Sequence, residues 1–256
     1  MEILKELYYI GIFGYLKQTL TPDQSVSIIL SIASILLCIA AGYFLGSINT
    51  AIIVSKLFYG DDIRKYGSGN AGMTNVLRTY GKKAAVLTLL GDILKTVLAI
   101  IIGRFIGTPE IFLYPLADVG IPIPTGGYIA GLFAAIGHTF PIYYRFRGGK
   151  GVLCAATIVL MLSPFTFLWC FIIFVILLLG TKYVSLGSVI SVMVYPIILN
   201  NINGSSPEIL FAILLAILVV YNHRENIKRL LSGTENKFSI GGKKKSEEES
   251  PDNEEE

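Results

Sequence analysis

Apolar residues along this chain gather in long blocks and leave the polar ones to short connecting stretches. Seven blocks carry little or no charge: residues 26–46, 84–105, 127–143, 152–162, 164–180, 184–199 and 207–221. A helix that crosses a bilayer needs about 20 mostly apolar residues, within a range of roughly 17–25. The pattern therefore predicts an all-α polytopic membrane protein with seven transmembrane helices. The fourth block is short and is divided from the fifth by Ser163-Pro164. Taking 152–180 as one kinked span gives six instead.

Composition supports the membrane class. Hydrophobic residues make up 53% and charged residues 15% of 256, against roughly a quarter charged in an average soluble protein. Lysine and arginine concentrate in cytoplasmic loops, which separates the two span counts. With seven spans, 17 of the 21 basic residues fall in segments 47–83, 144–151, 181–183 and the C-terminal tail. Lys5, Lys17 and Arg104 fall on the other side, and Lys95 lies within a span. Six spans put the 144–151 loop and the tail on opposite sides and destroy the asymmetry. The N-terminus is thus expected outside and the C-terminus in the cytoplasm.

The remaining segments add little chemistry. Residues 107–126 hold no lysine or arginine and several prolines, which predicts an irregular external loop. Residues 2–17 carry Ile3, Leu7 and Ile10 at helical spacing, as an interfacial amphipathic helix or a frayed end. No basic n-region with a cleavage site is present, so a cleaved signal peptide is not expected. Cys38, Cys154 and Cys170 sit inside apolar blocks, as small buried residues and not a disulfide or zinc set. One membrane-integral unit is expected over 1–238, followed by a disordered charged tail over 239–256.

Three polar stretches share the predicted cytoplasmic side. In GSINTAIIVSKLFYGDDIRKYGSGNAGMTNVLR (46–78), the small groups of Ser68, Asn70, Thr74 and Asn75 suit an oxyanion or a polyol, or simply a flexible loop. The apolar AIIVSKLF before them suggests a re-entrant or interfacial helix. GHTFPIYYRFRGGKG (137–151) surrounds Lys150 with Gly148, Gly149 and Gly151 behind Arg145 and Arg147. Glycine lets backbone N–H groups converge on a phosphate, and an ordinary positive-inside glycine turn has the same composition. A Walker A loop is excluded, because Gly151 stands where Ser or Thr must follow the lysine. His138 is a binding candidate or merely a hydrogen-bonded histidine near a span end. NHRENIKRLLSGTENKF (222–238) is a basic amphipathic helix, of the kind that anchors on lipid headgroups. Inside the second span, Asp92 and Lys95 share one helix face, as a functional pair or a structural ion pair. Lys95 meets the loops only if that span continues inward past Ala84.

Taken together, GSINTA with DIRKYGSGNAGMTN, then GHTFPIYYRFRGGKG, then HRENIKRLLSGTE, with GDILK between the first two, resemble the ordered motifs of the bacterial acyl-phosphate–glycerol-3-phosphate acyltransferases. The resemblance runs from about residue 42 to 235. Departures are small: Asn49 replaces a usual proline, and Met73 a usual alanine. It implies seven spans in the bacterial plasma membrane, with the active site on the cytoplasmic side. The implied reaction moves a fatty acyl group from acyl phosphate to the sn-1 hydroxyl of glycerol 3-phosphate, giving lysophosphatidic acid and phosphate. An acyl phosphate is already activated, so no cofactor or metal is implied. Partners are the two substrates, membrane lipids and an upstream acyl-phosphate-forming enzyme, with no nucleic acid. By resemblance Ser47, Arg64, His223 and Asn226 are catalytic. Gly148, Gly149 and Gly151 bind glycerol 3-phosphate, and Glu235 is structural. Ser68, Asn70, Thr74, Asn75, Lys95, His138, Arg145 and Lys150 complete the expected substrate site, and Asp92 the structural set. An organic-phosphate transporter is the rival class, yet internal repeats are missing and the polar motifs lie on one side. A lipid-anchored scaffold has no use for GSGN or GGKG.

Overall fold

The computed structural model describes residues 2–20, 23–107, 125–204 and 207–238. Among these the chain is wholly helical: α1 (Glu2–Leu20), α2 (Gln24–Gly46), α3 (Thr50–Tyr59), α4 (Met73–Tyr80), α5 (Lys82–Ile106) and α6 (Thr125–Thr139), then α7 (Val152–Leu162), α8 (Pro164–Thr181), α9 (Val184–Asn203), α10 (Glu208–Asn222) and α11 (Arg224–Leu231), with 3-10 turns at Ile63–Lys65 and Ile142–Tyr144. Four stretches are long and apolar enough to cross a membrane: Gln24–Tyr59, Lys82–Ile106, Pro164–Thr181 and Val184–Asn203. Val152–Leu162 and Glu208–Asn222 are shorter apolar helices. Leu57, Leu90, Phe165, Leu179 and Leu210, among many other large apolar side chains, face outward, as lipid-facing residues do.

Small residues let the central helices touch backbone to backbone. α2 lies on α6 through Gly42 and Gly46, where an added Cβ would fall 2.2 Å from the carbonyl oxygens of Ala130 and Ala134. α5 meets α6 through Gly103 and Gly126, also without room for a side chain. A second core joins α6, α7, α9 and α10 around Leu132, Ile158, Tyr195 and Leu215.

Ser163 decides how the fourth and fifth blocks are arranged. It caps α7 and precedes Pro164, the first residue of α8, where proline's missing N–H costs no helical hydrogen bond. Tyr128 Oη and Ser163 Oγ are 3.3 Å apart, so α7 ends beside the start of α6. α8 then returns, because Lys182 just past its end accepts a 2.7 Å hydrogen bond from Phe238 N, beyond α11. The two helices form a hairpin, and a single kinked helix over 152–180 is overturned.

Two departures from the sequence pattern have a clear backbone cause. The third apolar block ends as helix at Thr139, not 143. Pro141 cannot continue the helical hydrogen-bond ladder, and the chain turns through Ile142–Tyr144. α1 is broken at Gly11, whose φ of +70° suits only glycine and lets it lie on Gly107. Of the expected 107–126 loop, residues 108–124 lie outside the described residues, as do residues 239–256 of the tail.

Candidate active site

The three polar stretches meet at one end of the bundle, each held by a buried amide or a guanidinium. Asn75, in the first turn of α4, shapes the GSGN loop. Its Nδ2 donates to the carbonyls of Ile63, Tyr66 and Asn70 at 3.3, 2.9 and 3.1 Å, and its Oδ1 accepts from Ser68 N at 3.1 Å. Gly67 and Gly69 supply the positive φ angles of that turn, 57° and 69°. Arg64 fastens this loop to the next. Asp62 holds its Nε and Nη2 at 3.0 and 2.7 Å, while Nη1 donates to the carbonyls of Tyr144 and Arg147 at 2.8 and 3.1 Å. Ser47 caps α2, donating to Tyr43 O at 2.8 Å and accepting from Ile142 N at 3.4 Å.

The third stretch is a brace. Glu235 accepts from Asn226 Nδ2, Ser185 Oγ and Arg229 Nε at 2.7, 2.8 and 2.7 Å, which locks α11 onto the start of α9. Asn226 Oδ1 in turn receives the Lys150 ammonium of the GGKG loop.

Between these loops and helices α7–α10 lies a cavity of about 480 Å³. Its wall changes character along its length. One end presents Asn70, Arg78, Lys150, His223, Asn226 and Arg229; the other presents Val159, Phe167, Phe171, Phe174, Val192 and Tyr195. Such a shape suits an anionic head on an apolar tail. Gly151, the cap of α7 with φ +82° and no side-chain cap, opens the N-terminus of α7 onto the cationic end, where helix N–H groups favour an anion.

Charge at the polar end is set by burial. Burial, with Arg229 and Arg78 nearby and Glu235 opposing, lowers Lys150 from 10.5 to about 8. Burial lowers His223 to about 4, against a backbone hydrogen bond that favours its charged form. The His223 ring is neutral near pH 7. Its Nδ1 lies 2.7 Å from Val219 O, and a carbonyl can only accept, so the proton sits on Nδ1 and Nε2 is a bare acceptor. Glu235 is raised by burial, but the hydrogen bonds from Asn226, Ser185 and Arg229 outweigh this and hold its carboxyl below the ordinary value.

Comparison with known proteins settles the kinship. The family model described as glycerol-3-phosphate acyltransferase matches residues 36–233. The glycerol-3-phosphate acyltransferase of Clostridioides difficile (strain 630) is 43% identical over 215 residues, covering 84% of this chain and 100% of that protein. The chain belongs to the glycerol-3-phosphate acyltransferase family. The corresponding enzyme of Mycoplasmopsis synoviae (strain 53) is 41% identical over 235 residues, covering 84% of this chain and 99% of that one. Two crystal structures of PlsY (YgiH), an integral membrane glycerol 3-phosphate acyltransferase, share the fold. The glycerol 3-phosphate form is 33% identical with a TM-score of 0.68, covering 80% of this chain and 96% of that one. For the lysophosphatidic acid form the values are 32%, 0.66, 81% and 96%.

Against this family background, the expected site residues divide in two. Ser68, Asn70, Thr74, Asn75, Asp92, His138, Lys150, Gly151, His223, Asn226 and Glu235 line the cavity. Ser47, Arg64, Lys95, Arg145, Gly148 and Gly149 do not. Ser47 is fully buried, with its hydroxyl engaged at the α2 cap, and Arg64 spends its guanidinium on Asp62 and the 144–147 backbone. Arg145 is exposed, in a left-handed turn with φ 57°. Gly148 N and Gly149 N donate to Thr139 O and His138 O, each at 3.1 Å, while Gly151 lines the cavity. The first two are glycines because a Cβ would strike His138, its oxygen at 2.0 Å from Gly148 and its Nε2 at 2.0 Å from Gly149.

The Lys95 ammonium lies 2.8, 2.7 and 2.9 Å from Asp92 Oδ1, Ile48 O and His138 Nδ1. It does meet the first motif, since the first turns of α5 run alongside α3 and α4 and leave Lys95 level with the α2–α3 junction. Arg78 and Arg229 were missed, because among so many loop cations nothing in the sequence marks those that face a cavity. The apolar wall from α8 and α9 was missed too, since hydropathy does not separate cavity-facing from lipid-facing residues.

Proposed function

We propose that this enzyme of the glycerol-3-phosphate acyltransferase family takes its acyl group from acyl phosphate and places it on the sn-1 hydroxyl, forming lysophosphatidic acid and phosphate. The observation that carries this is the graded cavity, cationic at one end and aromatic at the other, which suits a substrate pair with two phosphates and one chain. Lys150, Arg78 and Arg229, with the α7 N-terminus, hold phosphate, and the chain lies among Phe167, Phe171 and Phe174. His223 Nε2 accepts the hydrogen bond of the attacking hydroxyl and orients it. As the hydroxyl oxygen bonds to the acyl carbon, the bond from that carbon to the phosphate oxygen breaks, and the proton leaves with the phosphate. Catalysis then rests on positioning and on charge that faces the departing phosphate. Ser47 and Arg64 serve by holding the loops that carry Asn70 and Lys150. Asn226 and Glu235 fix the ammonium of Lys150.

The apolar helices α2 and α5–α10 run alternately toward and away from the site, which supports seven passes despite the ~16 Å length of eleven-residue α7. The seventeen-to-three basic asymmetry supports a cytoplasmic site in the bacterial inner membrane, with 1–238 as the catalytic unit and an upstream acyl-phosphate-forming enzyme as partner. Introduced cysteines report this directly: Gly204→Cys should react with an impermeant thiol reagent from outside and Tyr66→Cys only from inside. Equal labelling of both from outside contradicts the orientation. For the chemistry, purified protein is offered glycerol 3-phosphate with either acyl phosphate or acyl-coenzyme A. Lysophosphatidic acid should form with the first alone, and turnover with the thioester alone refutes the donor assignment.

A further inference from the structure

His138 is one of two histidines in the chain; it is 4% exposed and stands where α5, α6 and the GGKG loop meet. Its Nδ1 lies 2.9 Å from the Lys95 ammonium and 3.6 Å from Asp92 Oδ1, the latter beyond hydrogen-bond reach; the ammonium lies 2.8 Å from that oxygen and 2.7 Å from Ile48 O. Lysine ammonium donates and cannot accept, so Nδ1 must be the bare nitrogen and the ring proton must sit on Nε2. No hydrogen-bond partner meets Nε2 among the described residues, and the side chain lines the cavity. Gly149 keeps the way open, since a Cβ there would fall 2.0 Å from Nε2. His223, held through Nδ1 on Val219 O, offers the same cavity the opposite character, a bare Nε2.

We propose that His138 is a substrate-binding residue whose Nε2–H donates a hydrogen bond to a phosphate oxygen, and that Lys95, paired with Asp92, is a positioning residue that enforces this tautomer. The proposal rests on the acyltransfer reading of the cavity and adds a neutral donor to its cationic set. Glycerol 3-phosphate and acyl phosphate both present such an oxygen, so the two KM values tell them apart.

Two substitutions divide the functions of the ring. His138→Asn places its amide near the Nδ1 position, keeping an acceptor for Lys95 and losing the cavity donor. His138→Gln places an amide near Nε2, keeping the donor and losing the Lys95 contact. In stable detergent-purified protein, His138→Asn should raise the KM of one phosphate substrate about tenfold or more, as loss of a hydrogen bond to a charged group does. His138→Gln should keep that KM within about threefold of the parent. Nitrogen-15 spectra of histidine-labelled parent protein at neutral pH should show His138 protonated at Nε2 and bare at Nδ1, and Lys95→Met should disturb that pattern. An Nδ1–H or doubly protonated ring overturns the proposal, as does a His138→Asn variant with both KM values unchanged. If the parent protein itself makes no lysophosphatidic acid, the acyltransfer reading fails first, while the tautomer is still decided by the spectra.

Discussion

Lys150→Met is expected to lower kcat/KM for glycerol 3-phosphate by about ten- to a hundredfold, the cost of one or two hydrogen bonds to a charged group. The pH profile is the sharper signature. Lys150 sits near 8, well under its ordinary value, and the protonated form is the one that attracts phosphate. In the free enzyme kcat/KM should therefore be flat below about pH 8 and fall as pH rises through it. Arg78, Arg229, Glu235, Asn226 and His223 surround this ammonium, and both Glu235 and His223 are held below their ordinary values, so neither changes charge near pH 8. Lys150→Arg keeps the charge without titrating, and should flatten the alkaline limb even where its turnover is reduced. The same lowered value acts on stability with the opposite slope. Between about 8 and 10.5 the unfolded chain binds more protons at this position than the folded one, so its unfavourable contribution is relieved as pH rises. A kcat/KM profile with its alkaline limb intact in Lys150→Arg contradicts the assignment.

Lys95→Met should be the most destabilising single change in the site region. It strands the Asp92 carboxylate, which is 1% exposed, without its 2.8 Å cation, and breaking a buried ion pair from one side costs about 3–5 kcal/mol. Replacing both partners removes the stranded charge, so Asp92→Asn with Lys95→Met should recover most of the loss. Thermal unfolding of the single and double variants in the same detergent measures this. A single variant that unfolds with the parent would show that Asp92 and Lys95 are not a buried tie.

The helical blocks were legible in the sequence because bilayer-spanning segments must be long and apolar. The block at 152–162 matches α7, and the others shift by at most a few residues. Loop positions were legible too, since GSGN, GGKG and the motif after α10 do converge. The direction in which a polar side chain points was not. Arg64 and Arg78 look alike in sequence; the first turns onto backbone carbonyls and Asp62, and the second onto the cavity. Gly149 reads as part of a phosphate cradle, and nothing in the sequence shows that His138 lies against it, leaving no room for a Cβ. Lys95 reads in sequence as one ionisable residue on a helix face, and only the meeting of α2, α5 and α6 sets it against Asp92, Ile48 O and His138. Long-range contacts decide each of these cases, and composition and spacing carry no record of them.

The central claim is that one cavity holds both the phosphate and the chain, head beside Lys150 and tail between α8 and α9. A structure of the full chain with lysophosphatidic acid bound tests it most directly. The phosphate should lie within about 3 Å of Lys150 Nζ, at ordinary hydrogen-bond distance, with the chain running past Phe171 toward Tyr195. A phosphate bound elsewhere, with the chain on the outer faces of α3 and α5, would contradict it.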